Sequence, residues 1–386
     1  MTKSFMNLNK DGFMSKLEEL IQKYCPDGVV YRPLSSICKS IRTGKLNANA
    51  MVDGGKYPFF TCSEKVFSID TYSFDAEALL VAGNGYLGNV KYYKGKFDAY
   101  QRTYVLSDFV KEADIMYVFY SMQNSFREFA LKSQKDGSVP YITIGIFDKY
   151  LIPIPPLPVQ EEIVRVLDTF TALQTVLQAE QQKRQEQYQH YQDYLLNKSQ
   201  FPRHSSIGEL CDVKKGKTAI QKAKEGEYPL VVTTMERKSC DEYQFNANAV
   251  CIPLVSSRGH GIASLNHVYY QEGRFALGNI LCAVIPFDED VLKAKFLYYY
   301  LEYAKDYILV PLMKGGANVS MHCSDIEKVK IPVPSIQEQE RIVFILDKFD
   351  TLTNDLISGL PAEIEKRRQQ YEYYRDKLLT FKRKEA

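Results

Sequence analysis

Ile152-Pro-Ile-Pro-Pro-Leu-Pro-Val-Gln-Glu-Glu-Ile-Val-Arg-Val-Leu-Asp-Thr-Phe170 occurs a second time, 179 residues on, as Ile331-Pro-Val-Pro-Ser-Ile-Gln-Glu-Gln-Glu-Arg-Ile-Val-Phe-Ile-Leu-Asp-Lys-Phe349. Apolar, proline and acidic positions stay in step. Each copy runs into a polar helical pattern with the same ending: Tyr188, Tyr191, Leu195 and Leu196 in the first, Tyr371, Tyr374, Leu378 and Leu379 in the second. So long a period exceeds the roughly 20 to 50 residues of solenoid repeats, so each unit is a domain plus a helix. The chain reads as two half-molecules in tandem.

The helical segments are the most regular part. In the first copy Ile163, Leu167, Phe170, Leu177, Tyr188, Tyr191 and Leu195 keep alternating spacings of three and four, with polar residues in the skipped turns. Ile342, Leu346, Phe349, Leu356, Tyr371, Tyr374 and Leu378 repeat the pattern, which is that of a coiled-coil seam. The second copy gains four residues near Ser358-Gly-Leu-Pro361, which shifts the heptad phase and predicts a bend or break there. About 40 residues of helix span about 60 Å. Packed antiparallel, two such helices would set a fixed distance between the domains and give the tandem copies a pseudo-twofold relation.

Outside the helices the texture is of short aromatic and β-branched runs broken by Gly, Asn and Asp: Tyr57–Thr61, Ala78–Ala82, Val90–Tyr93 and Arg102–Leu106. These predict strands, with one helix near 112–132. Residues 14–24 predict a short helix behind a Ser15–Glu18 capping box, stopped by Pro26-Asp27-Gly28. Residues 201–334 repeat the texture in order: Thr43-Gly44-Lys45 answers Lys215-Gly216-Lys217, Tyr57-Pro58 answers Tyr228-Pro229, and Gly95-Lys96-Phe97 answers Gly273-Arg274-Phe275. Between these anchors the loops differ, as in Ala82-Gly-Asn-Gly85 against Val255-Ser-Ser-Arg-Gly-His260. Equal frames with unequal loops suit two readers of two different short sequences.

The fold class expected is therefore α+β: two mixed globular domains alternating with two long helices that pack as an antiparallel coiled coil, with an internal pseudo-twofold repeat. The segments expected are 1–155, a short helix and the first domain; 156–200, the central helix; 201–334, the second domain; and 335–386, the distal helix.

Several chemistries lack their motif. Gly83-Asn-Gly85-Tyr-Leu-Gly88 matches the dinucleotide-binding glycine pattern, but that motif needs a helix to receive the pyrophosphate, and Asn89-Val-Lys-Tyr-Tyr-Lys-Gly reads as a strand and turn. There is no Asn-Pro-Pro-Tyr pocket, Walker loop, Gly-x-Ser-x-Gly elbow or His-Glu-x-x-His pair. The acids Glu161, Glu162, Glu338 and Glu340 fall at helix starts, where they suit the dipole. No catalytic role is expected, and no metal or cofactor in this chain. The 386 residues, 45% of them apolar, suffice for several cores. The 49 basic and 47 acidic residues leave a net charge of +2, low for unaided DNA binding. The eight cysteines form no Cys-x-x-Cys pair, and neither a spanning apolar run nor a secretory start is visible, so reduced thiols and a cytoplasmic location are expected.

The doubled Ile-Pro-x-Pro pattern ahead of a helix ending Tyr-x-x-Tyr-x-x-x-Leu-Leu resembles the specificity subunit of type I restriction-modification enzymes, over nearly the whole chain. The resemblance implies a non-catalytic DNA-recognition subunit. Each globular target recognition domain would read one half of a bipartite double-stranded site, and the helices would set the spacer. Two methyltransferase subunits would dock on the helices, with restriction and translocase subunits joining through them. S-adenosylmethionine, ATP and Mg2+ would be used by those partners. For DNA contact the loop residues expected are Lys45, Gln101, Arg102, Lys135 and Ser138 in the first domain, and Lys217, Arg258, His260, Lys314, Asn318 and Ser320 in the second, with Arg or Lys suited to guanine and Gln or Asn to adenine. The alternative is a coiled-coil interaction scaffold that binds no DNA.

Overall fold

The computed structural model describes residues 10–135, 139–197, 201–259, 261–354 and 359–384. Its long helices are α1 (Lys10–Tyr24), α2 (Ile115–Ser133), α3 (Leu157–Leu196), α4 (Ala294–Ile308), α5 (Ile336–Asn354) and α6 (Leu360–Leu378). The chain divides into two compact units: Met1–Val176 with Ile364–Ala386, and Leu177–Glu363. The first unit therefore holds the start of α3 and most of α6, and the second holds the end of α3 and all of α5. None of the helices is long and apolar enough to cross a membrane among the described residues.

In the first unit β1 (Tyr31–Pro33) pairs antiparallel with β8 (Leu151–Pro153) where the chain enters and leaves the domain. Between them lie β2 (Cys38–Thr43), β3 (Tyr57–Phe60), β4 (Phe67–Ile69), β5 (Phe74–Ala82), β6 (Val90–Ala99) and β7 (Thr103–Phe109), in sheet order β2-β7-β5-β6-β3-β4. The central strand β5 is apolar from Ala78 on because both its faces are covered. Leu79 and Val81 point to the core formed with α2, while Ala78 and Leu80 point to a second core with Phe60, Phe74 and Phe97, the alternation a strand imposes. The glycine-rich loop 83–88 runs into β6, a strand, and Gly88 (φ +74°) lies against Arg127 and Ala130 of α2.

The second unit repeats this frame. Here β9 (His204–Ser206) pairs with β18 (Lys330–Pro332). One sheet holds β10 (Cys211–Lys215), β14 (Ala249–Pro253), β15 (Tyr269–Gln271) and β17 (Leu281–Pro286); another holds β11 (Tyr228–Val231), β12 (Lys238–Cys240), β13 (Phe245–Asn246) and β16 (Arg274–Leu277). β15 and β16 together take the part of the unbroken β6, with Gly273 (φ +73°) between them. Val250 and Ile252 face the α4 core, and Ala249 and Cys251 face the other, as in β5.

Each globular domain is fastened to its helix by the same set of bonds. Gln160, fully buried, accepts from Asp114 N (2.8 Å) at the start of α2 and donates to Glu112 O (2.7 Å) and Pro155 O (2.6 Å). Gln339, also fully buried, accepts from Lys293 N (2.9 Å) at the start of α4 and donates to Val291 O (3.0 Å) and Pro334 O (2.9 Å). Further along, Tyr120 donates to Asp168 (2.6 Å) and Tyr299 to Asp347 (2.6 Å). Burial and the neighbouring carboxylate push both phenols up.

The helix seam closes inside each unit. In the first, the Phe170 ring lies 5.5 Å from Tyr374 and 6.5 Å from Tyr371, and Leu378 shares a core with Ile163 and Leu167. In the second, Phe349 lies 6.1 Å from Tyr188 and 4.9 Å from Tyr191, and Leu195 shares a core with Ile342 and Leu346. Tyr194 there sits near Arg341 and Tyr188 near Asp350, so α3 and α5 run antiparallel. Leu177 is half-buried on α3, and Leu356 lies outside the described residues.

Two expectations change. Helix α1 already runs from Lys10, so Ser15 is inside it and opens no capping box. Glu161 and Glu162 lie beyond the first turn of α3, where Glu162 binds Lys16 (2.8 Å) and Arg165, while Glu338 is in the first turn of α5, as expected, and also binds Arg341 (2.7 Å). Copy two caps its helix with Ser335, whose hydroxyl accepts from Glu338 N (3.4 Å). The expected interruption is present as two helices, α5 and α6, with Pro361 in the first turn of α6, where its missing N–H costs nothing.

Candidate nucleic-acid interface

In the first unit four expected residues are gathered by backbone bonds at one end of the sheet's strands. Gly44 must approach the β6–β7 turn closely: a Cβ there would lie 1.7 Å from Ala99 O. That approach places Lys45 beside the turn, where Gln101 N donates to Leu46 O (2.9 Å). Arg102 O accepts from Gly83 N (2.9 Å), and its guanidinium stands 5.7 Å from the ring centre of Tyr141. Lys135 exchanges backbone hydrogen bonds with Tyr141 at 2.8 and 3.3 Å, and Tyr141 also bridges to Asn84. Lys45, Gln101, Arg102 and Lys135 are exposed. Ser138 lies outside the described residues.

Between these elements is a cleft of about 260 Å³ lined by Thr43, Gly83, Gln101, Arg102, Tyr104 and Ile142. Among the described residues its lining offers an amide, a guanidinium and hydroxyls and no carboxylate. Burial pushes the Tyr104 phenol up, so it stays a neutral donor and bonds Ile142 O (3.1 Å). Such a wall suits recognition of acceptor-rich base edges and phosphates. Among the described residues no group of three or more His, Cys, Asp and Glu side chains could hold a metal ion.

The second unit builds the same edge with different chemistry. Gly216 meets Gly278 O, at 2.2 Å from an added Cβ, as Gly44 meets Ala99 O. Lys217 N is held by the Gln244 side chain (2.9 Å), and the Lys217 side chain is exposed. Lys314 exchanges backbone bonds with Ser320 (2.8 and 2.9 Å), and Ser320 lies opposite Val255. The turn that carries Gln101-Arg102 in the first unit is Asn279-Ile280 here, so its cation is absent. A cation stands instead on a longer loop: Ser256 Oγ accepts from Arg258 N (3.2 Å) and Ser264 N (3.1 Å), tying the loop's two arms together below Arg258. Ser256 N donates to Val319 O (2.9 Å), which places this loop beside the exposed Asn318. His260 lies outside the described residues.

Sequence reading passed over three residues at these edges. Asn279 is exposed at the place of Gln101; the signal was the Gly278-Asn279 turn ahead of a strand. Tyr141 pairs with Lys135 six residues away and meets Asn84 and Arg102 through contacts that no local pattern announces. Tyr86, on the glycine-rich loop, holds its ring 4.4 Å from the Arg127 guanidinium.

Two like frames presenting unlike cationic and amide edges define a tandem recognition protein. A family model described as the type I restriction modification DNA specificity domain matches residues 26–186 and again 203–366, and the chain belongs to this family. It is 34% identical over 298 residues to the EcoR124I/EcoR124II type I restriction enzyme specificity subunit of Escherichia coli, covering 70% of this chain and 72% of that one. It is 28% identical over 383 residues to a putative type I restriction enzyme specificity subunit of Haemophilus influenzae, covering 92% and 96%. Among solved structures, the S subunit of a type I restriction-modification system from M. genitalium has the same fold, with a TM-score of 0.66 at 19% identity, covering 91% of this chain and 96% of that one.

Proposed function

We propose that each globular domain reads one half of a bipartite DNA site and that the helices set the spacer between the halves. The division in this reading is 1–155 and 201–334 for recognition, and 156–200 and 335–386 for spacing. The observation that carries it is the repeated edge: Gly44 and Gly216 bring equivalent turns to the same place, while the side chains presented there are Gln101-Arg102 in one unit and Asn279-Ile280 with Arg258 in the other. A scaffold without a ligand needs no such contrast between frame and edge. In this reading Lys45, Gln101, Arg102, Lys135 and Ser138 contact one half-site, and Lys217, Arg258, His260, Lys314, Asn318 and Ser320 the other.

The chain itself is non-catalytic in this proposal. Two methyltransferase subunits dock on the helices, where Val176, Tyr194, Phe344 and Tyr373 leave large apolar side chains exposed. Those subunits bind S-adenosylmethionine, and restriction subunits using ATP and Mg2+ join the assembly in the cytoplasm. The low net charge of +2 fits a subunit whose partners supply much of the phosphate neutralisation.

The test is methylation mapping by long-read sequencing of source-cell DNA with and without this gene. Loss of one bipartite adenine-methylation pattern is the expected result and yields both half-sites and the spacer. An expressed complex whose removal leaves the methylome unchanged, and which shifts no DNA, returns the chain to the scaffold class.

A further inference from the structure

The buried glutamines are not required by the helices that carry them. Their side-chain bonds run outward, to the start of α2 or α4 and to the proline turn ahead of α3 or α5. They are kept in both copies although neighbours on the same helices change, Glu162 to Arg341 and Arg165 to Phe344. Eight residues further on, the Asp168–Tyr120 and Asp347–Tyr299 bonds fasten the same pairs of helices a second time. Each domain is thus pinned at two points about 12 Å apart along its helix.

Two pins do what apolar packing does not. Burial of apolar surface is non-directional and tolerates sliding and tilting, whereas hydrogen bonds lose strength steeply with distance and angle. Slack of about 1 Å at one pin would tilt the domain by roughly 5° about the other. At the far side of a domain of this size, on the order of 30 Å away, that tilt displaces a loop by about 2.5 Å. A base-pair step is about 3.4 Å. Loss of one pin therefore moves the reading edge by most of one base pair.

We infer that Gln160 with Asp168, and Gln339 with Asp347, are positioning residues that fix the attitude of each recognition domain on its helix and thereby set how many base pairs are tolerated between the half-sites. The inference rests on the bipartite reading above.

The experiment uses the full chain assembled with its methyltransferase subunits. Methylation is measured on three duplexes that differ only in the gap between half-sites: native, one pair longer and one pair shorter. The wild-type complex comes first, because failure to prefer one gap would sink the bipartite reading itself, before any variant is compared. Gln160→Met removes three directional bonds and should lower the preference for the native gap at least fivefold, the factor matching about 1 kcal/mol for one such bond. Tyr120→Phe removes a single hydroxyl, leaves the ring packed and should act in the same direction, which guards against a Gln160→Met chain that does not fold. Asp168→Asn keeps an acceptor for Tyr120 and should retain the wild-type preference. An equal loss of rate on all three duplexes would mark these residues as merely structural and overturn the inference. An assembled Tyr120→Phe complex with unchanged gap preference would overturn it as well.

Discussion

The two edges differ in where they keep their cation. In the first unit Arg102 stands on a tight turn between β6 and β7, braced by Gly83 N and by the Tyr141 ring. In the second the same turn carries Asn279 and Ile280, and Arg258 rides on a loop tied by Ser256. The frame below is unchanged, down to a glycine whose Cβ would strike the opposite backbone. If these are the residues that read DNA, as proposed, specificity would be rewritten by moving a donor from one loop to another over a frame that keeps its glycine crossing and its glutamine bonds.

The sharpest way to break that comparison is to attack the shared frame. Gly44→Ala places a Cβ 1.7 Å from Ala99 O, and Gly216→Ala places one 2.2 Å from Gly278 O. Neither obstacle is a movable side chain, so each substitution should cost about 4 kcal/mol or more and unfold its own domain. Gly145→Ala, with open space around it and φ −62°, should fall within about 0.5 kcal/mol of the parent. Limited proteolysis with mass mapping reads which domain opens. Equal tolerance of all three substitutions would show that the crossing is not what holds the edge.

The next largest effect separates the edges. Arg258→Ala should weaken binding of the assembled complex to its own site by about tenfold to a hundredfold, and binding to random DNA much less. Arg102→Ala should do the same through the other half-site. Gel-shift titrations on the cognate site, on each half-site mutated alone and on random DNA distinguish the two. An equal loss on every DNA would place the residue on the backbone instead.

Lys45 and Lys217 occupy the same position in both frames, so they serve as the counter-case. A residue kept while the bases differ suits phosphate contact. Either one changed to Ala should weaken binding uniformly across sequences and lower the slope of log K against log salt by about 1. A base-selective loss at only one of them would undo the distinction between shared frame and variable edge.

The repeat, the helix seam and four strands of the first unit were open to sequence reading because each rests on periodicity, and two copies double the signal. The break before Pro361 was legible for the same reason, since four added residues disturb a heptad. What stayed hidden is non-local. Gln160 and Gln339 read as ordinary polar helix residues, and only the fold reveals that they are buried and bonded to α2 and α4. Asn279, whose N–H donates to Thr218 O, and Tyr141, which bridges to Asn84, take their places through distant backbone. The Ser15–Glu18 pattern misled because a capping motif inside a helix has no orphan N–H groups to satisfy.

The smallest effect tests a difference that leaves recognition untouched. In the first unit Cys25, Cys38 and Cys62 are all buried, and burial pushes the Cys25 and Cys38 thiols up, the latter to about 11. The second unit has Cys323, half-buried, whose hydrogen bond with Cys282 and nearby Lys215 lower it to about 7, while Cys282 is raised. A lowered thiol pKa means more thiolate, and thiolate is the nucleophile. Iodoacetamide should therefore label Cys323 ahead of the other thiols, at a rate that climbs through pH 7 and levels above it. Cys323→Ser should abolish the fast label and leave DNA binding unchanged. A fast label in the first unit, or a rate still climbing near pH 9, would mean that Cys282 does not hold the thiolate. That outcome would leave the two units alike in thiol chemistry.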